Sequence, residues 1–467
     1  MRYVSTRGQA PETDFNGALL TGLASDGGLY MPQSWPRFSA AELKSMRGLP
    51  YAELAAKVMA QFTAGCIPEA TLLKMCQRAY ADFTSKATTP LVQVDTNLYA
   101  LELFHGPTLA FKDMALQLVG HLFEHVLAQR GERVCIVGAT SGDTGSAAIE
   151  AVAGRRNIDI TILHPEGKTS EVQRRQMTTV QAGNVLNLAV AGNFDDCQDL
   201  VKAMFADEPF RNQMNLSAVN SINFARIAAQ IPYYVYAALN LGAPEREVAV
   251  SVPTGNFGNI LAAWAAKQMG VPISAFIVAS NRNDILTRFL KANDMTVKTV
   301  EPSLSPSMDI GVSSNFERLL YEFLERDAVL TAKTMADFRA TGHMTVSEAV
   351  WSAIRREFQG YRLDDAATLK EIGRFYQESQ YLADPHSVIG LAAGRDCAPA
   401  GMPVIAAVTA HPAKFPDAIE KAVGIRPPLP PHLADLFERT ETLTRTTADL
   451  ATIETLVRNF ANRNKNG

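Results

Sequence analysis

The sequence predicts an α/β protein with two mainly parallel sheet subdomains flanked by helices, preceded by a largely helical N-terminal segment. Three observations predict it. From about residue 97 onward, short β-rich runs alternate with amphipathic helical runs. Most of the β-rich runs end in a glycine-containing turn that opens the next helix. The first hundred residues lack this alternation and place apolar residues at three- and four-residue spacings instead.

Along the chain, a polar start leads to the turn-rich run Ala24-Ser25-Asp26-Gly27-Gly28-Leu29-Tyr30-Met31-Pro32. Helical patterns follow at 40–63 and 69–82. Strands are expected at 98–104, 133–137, 159–163, 184–190, 247–252, 273–279 and 403–408, with helices such as 111–128, 146–153 and 259–269 between them. The division that follows has a helical domain at 1–95 and a large α/β domain from 96–130 and 220–430. A small mobile α/β domain occupies 131–219, and 431–467 forms a C-terminal helix and polar tail.

Composition narrows the function classes. Lys plus Arg total 44 against 48 Asp plus Glu, a net charge of −4. A phosphate-tracking nucleic-acid binder needs a positive footprint that this chain lacks. The longest apolar run, 231–239, holds nine residues including Pro232 and three tyrosines. A membrane span needs roughly 18–20. The start Met1-Arg2-Tyr3-Val4 has no apolar signal region, and five cysteines without a CxxC pair suit neither a disulfide framework nor a cysteine-based zinc site. A soluble, cytoplasmic chain large enough to be an enzyme is the expectation.

Four motifs carry chemistry. In His105-Gly106-Pro107-Thr108-Leu109-Ala110-Phe111-Lys112-Asp113, a β run and a Gly-Pro turn deliver Lys112 to the start of an apolar helix. Burial and the positive end of the helix dipole both disfavour an ammonium there, and a neutral amine condenses with an aldehyde where an ammonium does not. On a wetter surface the same lysine would merely snorkel. The turn Gly255-Asn256-Phe257-Gly258-Asn259 joins a strand to a helix and offers backbone N–H groups to an anion such as phosphate. Neither a P-loop nor a GxGxxG fingerprint is present. Thr140-Ser141-Gly142-Asp143-Thr144 has the same strand-to-helix placement, with hydroxyls suited to a carboxylate; Asp143 alone reads equally as a helix cap. Thr409 ends an apolar strand at the edge where α/β sheets bind ligands. His121-Leu122-Phe123-Glu124-His125 matches the H-x-x-E-H pattern of zinc peptidases. The apolar stripe through Phe111, Ala115, Leu118, Leu122 and Val126 leaves those histidines as solvated helix residues, and no metal is expected.

HGPTLAFKD, GATSGDTG, PTGNFGN and TAHPAKF occur in that order, together with DGGLYMP near the N-terminus and Asp384-Pro385-His386-Ser387-Val388-Ile389-Gly390 later on. In these runs the chain resembles the bacterial and fungal threonine synthases, pyridoxal phosphate enzymes of fold type II. The resemblance implies Lys112 as the Schiff-base lysine and Gly255, Asn256, Phe257, Gly258 and Asn259 as the cradle of the cofactor phosphate. It implies Thr409 at the pyridine nitrogen, where a neutral hydroxyl moderates the electron sink. Thr140, Ser141, Gly142, Asp143 and Thr144 would surround the substrate carboxylate.

The implied reaction takes O-phospho-L-homoserine and water to L-threonine and phosphate, a β,γ-replacement that ends threonine biosynthesis. Lys112 would remove the Cα proton and assist at Cβ, phosphate would leave from Cγ, and water would add at Cβ. Asn223, Arg226 and His105 are candidate ligands for the leaving phosphate, although Arg226 at the head of a helix reads equally as a structural ion-pair partner. Closure of the small domain would exclude water. The alternatives are a threonine or serine dehydratase, a cysteine synthase, a zinc peptidase on His121, Glu124 and His125, and a non-catalytic module of the same fold.

Overall fold

The computed structural model describes residues 1–466. Among them the strands are, in chain order, β1 (Tyr3–Ser5), β2 (Tyr30–Pro32), β3 (Leu91–Asp95), β4 (Leu98–Glu102), β5 (Val134–Ala139), β6 (Ile158–Pro165), β7 (Val185–Ala191), β8 (Leu216–Ser217), β9 (Val248–Pro253), β10 (Ile273–Ser280), β11 (Phe358–Arg362), β12 (Val404–Val408) and β13 (Thr444–Thr447). Six form a sheet in the order β11-β10-β9-β12-β4-β3, and five form a second in the order β13-β7-β6-β5-β8. All neighbours are parallel except β3 against β4. β1 and β2 make a separate antiparallel ribbon. β6, β9 and β12 are buried at every position, as parallel strands are when helices cover both faces.

All seven expected strands are present, each within a few residues of its expected bounds. Sheet membership shifts the domain limits. β3 pairs with β4, so the larger sheet begins at Leu91. β13 pairs with β7, and Ile453 and Val457 of the helix Leu450–Asn466 pack into the core of the smaller sheet. The C-terminal segment is therefore structural to the smaller unit; the expected polar tail is helical to Asn466, and Gly467 lies outside the described residues. The pattern at 40–63 splits into helices Ala40–Ser45 and Tyr51–Thr63, parted by Gly48 in the left-handed region and Pro50.

The helix Lys112–Arg130 corrects a second expectation. It is buried around most of its circumference rather than along one stripe. Its core joins Leu101 and Val250 of the larger sheet to Ile136 and Ile160 of the smaller one. A Cβ at Gly120 would lie 2.3 Å from the Ala151 carbonyl oxygen, so glycine lets this helix touch the helix Asp143–Val152. His121 and His125 are half-buried, not solvated. Arg155 Nη1 lies 2.9 Å from His121 Nδ1 and 3.0 Å from Glu124 Oε2. A guanidinium thus stands where the peptidase reading would put zinc, and burial beside it lowers the His121 pKa to about 4.

Candidate active site

β9, β12 and β4 lie side by side and parallel at the centre of the larger sheet. Their carboxyl ends open on one edge, where open α/β sheets bind ligands. The chain leaving β9 forms the turn Gly255–Asn259, the chain leaving β12 begins with Thr409, and the chain leaving β4 leads to Lys112. The last two are joined by backbone: Phe111 N–H donates to Thr409 O at 2.8 Å and His411 N–H to Leu109 O at 3.0 Å. Sequence positions about 300 apart are therefore adjacent here.

Lys112 begins its helix and is buried. Its Nζ lies 3.3 Å from Asp143 Oδ2 and 4.9 Å from the centre of the Phe111 ring. Burial pushes the amine pKa down and Asp143 draws it back; the charges of Lys414 and Arg226 then push it down again, and the net result is a lowered value.

Asp143 comes from the other sheet. β5 ends at Ala139, Thr140 Oγ1 accepts the N–H groups of Gly142 and Gly145 at 2.9 Å each, and the turn so formed delivers Asp143 as the first residue of its helix. Its carboxylate is not the helix cap. Oδ1 accepts from Lys414 Nζ at 2.7 Å and Gln173 Nε2 at 2.9 Å; Oδ2 faces Lys112 and accepts from Ser307 Oγ at 3.1 Å. Burial alone would raise this carboxyl, but the charges of Lys414 and Lys112 outweigh it and hold the pKa well below the usual range.

The Gly255–Asn259 turn is braced from outside. Ser313 Oγ donates to Gly255 O at 2.7 Å, and Asn315 Nδ2 donates to Asn256 O at 2.9 Å. Arg318, fully buried, bonds Asn315 and the Tyr30 carbonyl of the DGGLYMP run. Phe257 takes φ +64°, and the helix Gly258–Gln268 starts with no side-chain cap. Its first N–H groups are thus left without intrahelical partners. Asn259 Oδ1 accepts from Tyr233 and Tyr234, while its buried Nδ2 has no partner among the described residues.

The remaining candidates divide. Arg226 is buried; it donates from Nη1 to Val219 O at 3.0 Å, its Nε is unpartnered, and no carboxylate pairs with it among the described residues. Burial lowers its pKa to about 10. Asn223 spends its side chain on Leu19 O at 2.8 Å and Ala225 N–H at 3.0 Å, capping the helix that carries Arg226. His105 is held by Glu102 at 2.7 Å and by Thr84 at 3.3 Å, and among the described residues no side-chain hydrogen bond joins it to Asp143. Ser141 and Thr144 flank Asp143, with no side-chain hydrogen bond among the described residues.

Sequence reasoning missed the residues that hold this cluster together. His386 Nδ1 donates to Asp384 at 2.8 Å, and its Nε2 accepts the Ser307 N–H at 3.2 Å. Lys414 and His386 sat inside TAHPAKF and the Asp384–Gly390 run, so their motifs were visible but their contacts were not. Ser307 and Gln173 lie in stretches without a motif.

These residues fit pyridoxal phosphate. A buried amine of lowered pKa suits its aldehyde. The uncapped helix start with the orphaned Asn259 Nδ2 suits its phosphate. The Thr409 hydroxyl, without a hydrogen-bond partner among the described residues, suits its ring nitrogen. Among the described residues no group of three His, Cys, Asp or Glu side chains is placed to hold a metal ion.

Comparison with known proteins agrees. The family described as threonine synthase N terminus matches residues 2–80, that of pyridoxal-phosphate dependent enzymes matches 84–404, and threonine synthase, C-terminal matches 387–457. The threonine synthase of Pseudomonas aeruginosa is 54% identical over 467 residues, covering all of both chains. That of Saccharomyces cerevisiae is 42% identical, covering 90% of this chain and 89% of the relative. The crystal structure of PLP-bound threonine synthase from Brucella melitensis superposes with a TM-score of 0.97 at 51% identity, covering 99% of each chain. The Escherichia coli threonine synthase structure gives 0.83 at 32% identity, covering 98% of this chain and all of that one.

Proposed function

The chain belongs to the threonine synthase family, and on that premise we propose that it converts O-phospho-L-homoserine and water to L-threonine and phosphate, with Lys112 as the residue that bonds pyridoxal phosphate. The observation that carries this reading is the buried Lys112 amine, 3.3 Å from Asp143, where the exits of β4, β9 and β12 converge. When bound, the cofactor supplies an aldehyde for amines and a ring that draws electrons from the neighbouring carbons.

The chain's own residues supply the rest. Gly255, Asn256, Phe257, Gly258 and Asn259 hold the cofactor phosphate, and the neutral Thr409 hydroxyl leaves the ring nitrogen less protonated than a carboxylate would. Lys112 Nζ carries protons at the substrate's Cα and Cβ. Thr140, Ser141, Gly142 and Thr144 receive the substrate carboxylate through hydroxyl and N–H donors. Asp143 is among them in sequence, but an anion ringed by four donors serves Lys112 better than it serves a second carboxylate. Arg226, a buried cation with no carboxylate partner among the described residues, is the leading candidate for the leaving phosphate. His105 and Asn223 are secondary candidates, since their polar atoms already have partners.

The N- and C-terminal matches, both to threonine synthase families, favour this reading over a dehydratase or cysteine synthase. The small unit closing over the site, a cytoplasmic setting, no nucleic-acid partner and a monomer or weak homodimer complete the proposal. No helix among the described residues is long and apolar enough to cross a membrane. Incubating the holoenzyme with O-phospho-L-homoserine tests the reading: equimolar phosphate and threonine support it. Ammonia and a 2-oxo acid released from threonine, without that turnover, would overturn it.

A further inference from the structure

Two buried lysines flank one buried carboxylate, and they do so unequally. Lys414 is 0% exposed; its Nζ lies 2.7 Å from Asp143 Oδ1 and donates to Thr108 O at 2.8 Å. Lys112 Nζ lies 3.3 Å from Asp143 Oδ2, its one hydrogen-bond partner among the described residues. Gln173 and Ser307 complete the carboxylate's donors. The shorter, better solvated-by-protein contact belongs to Lys414. An anion already matched by one ammonium holds the proton of a second only weakly.

We propose that Lys414 is the standing counter-ion of Asp143, a positioning residue whose charge leaves Lys112 free to stand unprotonated. This rests on Lys112 being the lysine that bonds the cofactor. In that bond the uncharged Nζ adds to the aldehyde carbon and one water leaves, so the fraction of neutral Lys112 sets the rate of capture. The charged and titratable groups facing the pair are Asp143 on its helix, Arg226 on the helix Phe224–Ala228, His386 on the helix Pro385–Cys397, and Asp113 beside Lys112. Arg226 acts on Lys112 in the same sense as Lys414, and Asp143 in the opposite sense.

The test measures the rate at which apoprotein takes up pyridoxal phosphate as a function of pH, followed by absorbance. Lys414→Gln keeps a donor toward Thr108 and Asp143 but removes the charge. Its pH midpoint for uptake is expected to rise by about one unit or more, the effect of one charge within a few ångströms. Lys414→Arg, which keeps the charge, restores a midpoint near the natural one. Asp143→Asn lowers the midpoint, and adding Lys414→Gln to it raises the midpoint again. That last comparison reads the Lys414 charge even where the single Lys414→Gln protein does not fold, because with asparagine at 143 the loss of the Lys414 charge leaves no buried carboxylate short of its counter-ion. Equal midpoints with and without Lys414→Gln, in both backgrounds, overturn the inference. Absence of uptake by the natural apoprotein at every pH overturns instead the assignment of Lys112 to the cofactor.

Discussion

Asp384 and His386 face each other across 2.8 Å at the start of one helix, and their contact ties together both halves of the site. The carboxylate fixes the Nδ1–H form of the ring, so Nε2 is the acceptor for Ser307 N–H, and Ser307 Oγ reaches Asp143. The other Asp384 oxygen accepts from Ser387 Oγ, which in turn accepts the Thr409 N–H at 2.8 Å. Asp384 thus orients Asp143 through one arm and Thr409 through the other.

Asp384→Asn leaves the buried ring and hydroxyl without their charged acceptor. Hydrogen bonds to charged groups are worth about 1.5–3 kcal/mol, so urea unfolding is expected to show a loss of about 2 kcal/mol. Cofactor affinity falls in parallel. An unchanged midpoint with unchanged affinity would contradict the two-armed role.

Arg226 predicts an inverse pattern. A buried guanidinium with no carboxylate partner among the described residues destabilises its surroundings until an anion arrives. Arg226→Met is expected to leave thermal stability unchanged or raised, while KM for the phosphorylated substrate rises about tenfold or more, the scale of one lost charge-assisted bond. Lower stability with an unaltered KM would make the residue structural instead.

The strand ladder was legible because parallel strands here are continuous apolar runs bounded by glycine turns. The turns that carry Lys112, Asp143 and the Gly255–Asn259 segment were legible for the same reason. What escaped was long-range pairing: β13 joins β7 across some 250 residues, and its wholly polar sequence, Thr444-Arg445-Thr446-Thr447, resembles a loop. The two-sided burial of the Lys112–Arg130 helix escaped too, because small residues such as Gly120 and Ala115 hide a second packed face. Lys414 and His386 stood in visible motifs, yet only the fold shows that both lead to Asp143.

Gly255 touches the backbone of a different loop. A Cβ there would lie 2.7 Å from the Ser307 carbonyl oxygen, and a backbone atom cannot rotate away. Gly255→Ala is expected to displace the turn and weaken cofactor retention by about tenfold, roughly 1.4 kcal/mol, as read by equilibrium dialysis. Retention at the natural level would mean that the two loops part freely.

Asp113 gives the fold a pH signature. Burial raises its carboxyl to about 6, against the lowering influence of the Thr108 hydrogen bonds and of Lys414. The folded protein then holds a proton that the unfolded chain releases near pH 4, so stability falls as pH rises from about 4 to 6. At about 1.4 kcal/mol per unit the contribution is about 3 kcal/mol at most. Asp113→Asn is expected to remove this slope from urea unfolding measured across that window. A slope that persists unchanged assigns it to other groups.

The covalent role of Lys112 is tested most directly by reducing the cofactor-loaded protein with borohydride and locating the pyridoxyl group by peptide mass spectrometry. A label confined to the peptide at Lys112 is expected. A label on Lys414, the other lysine bound to Asp143, or none on Lys112, would contradict the assignment on which the site has been built.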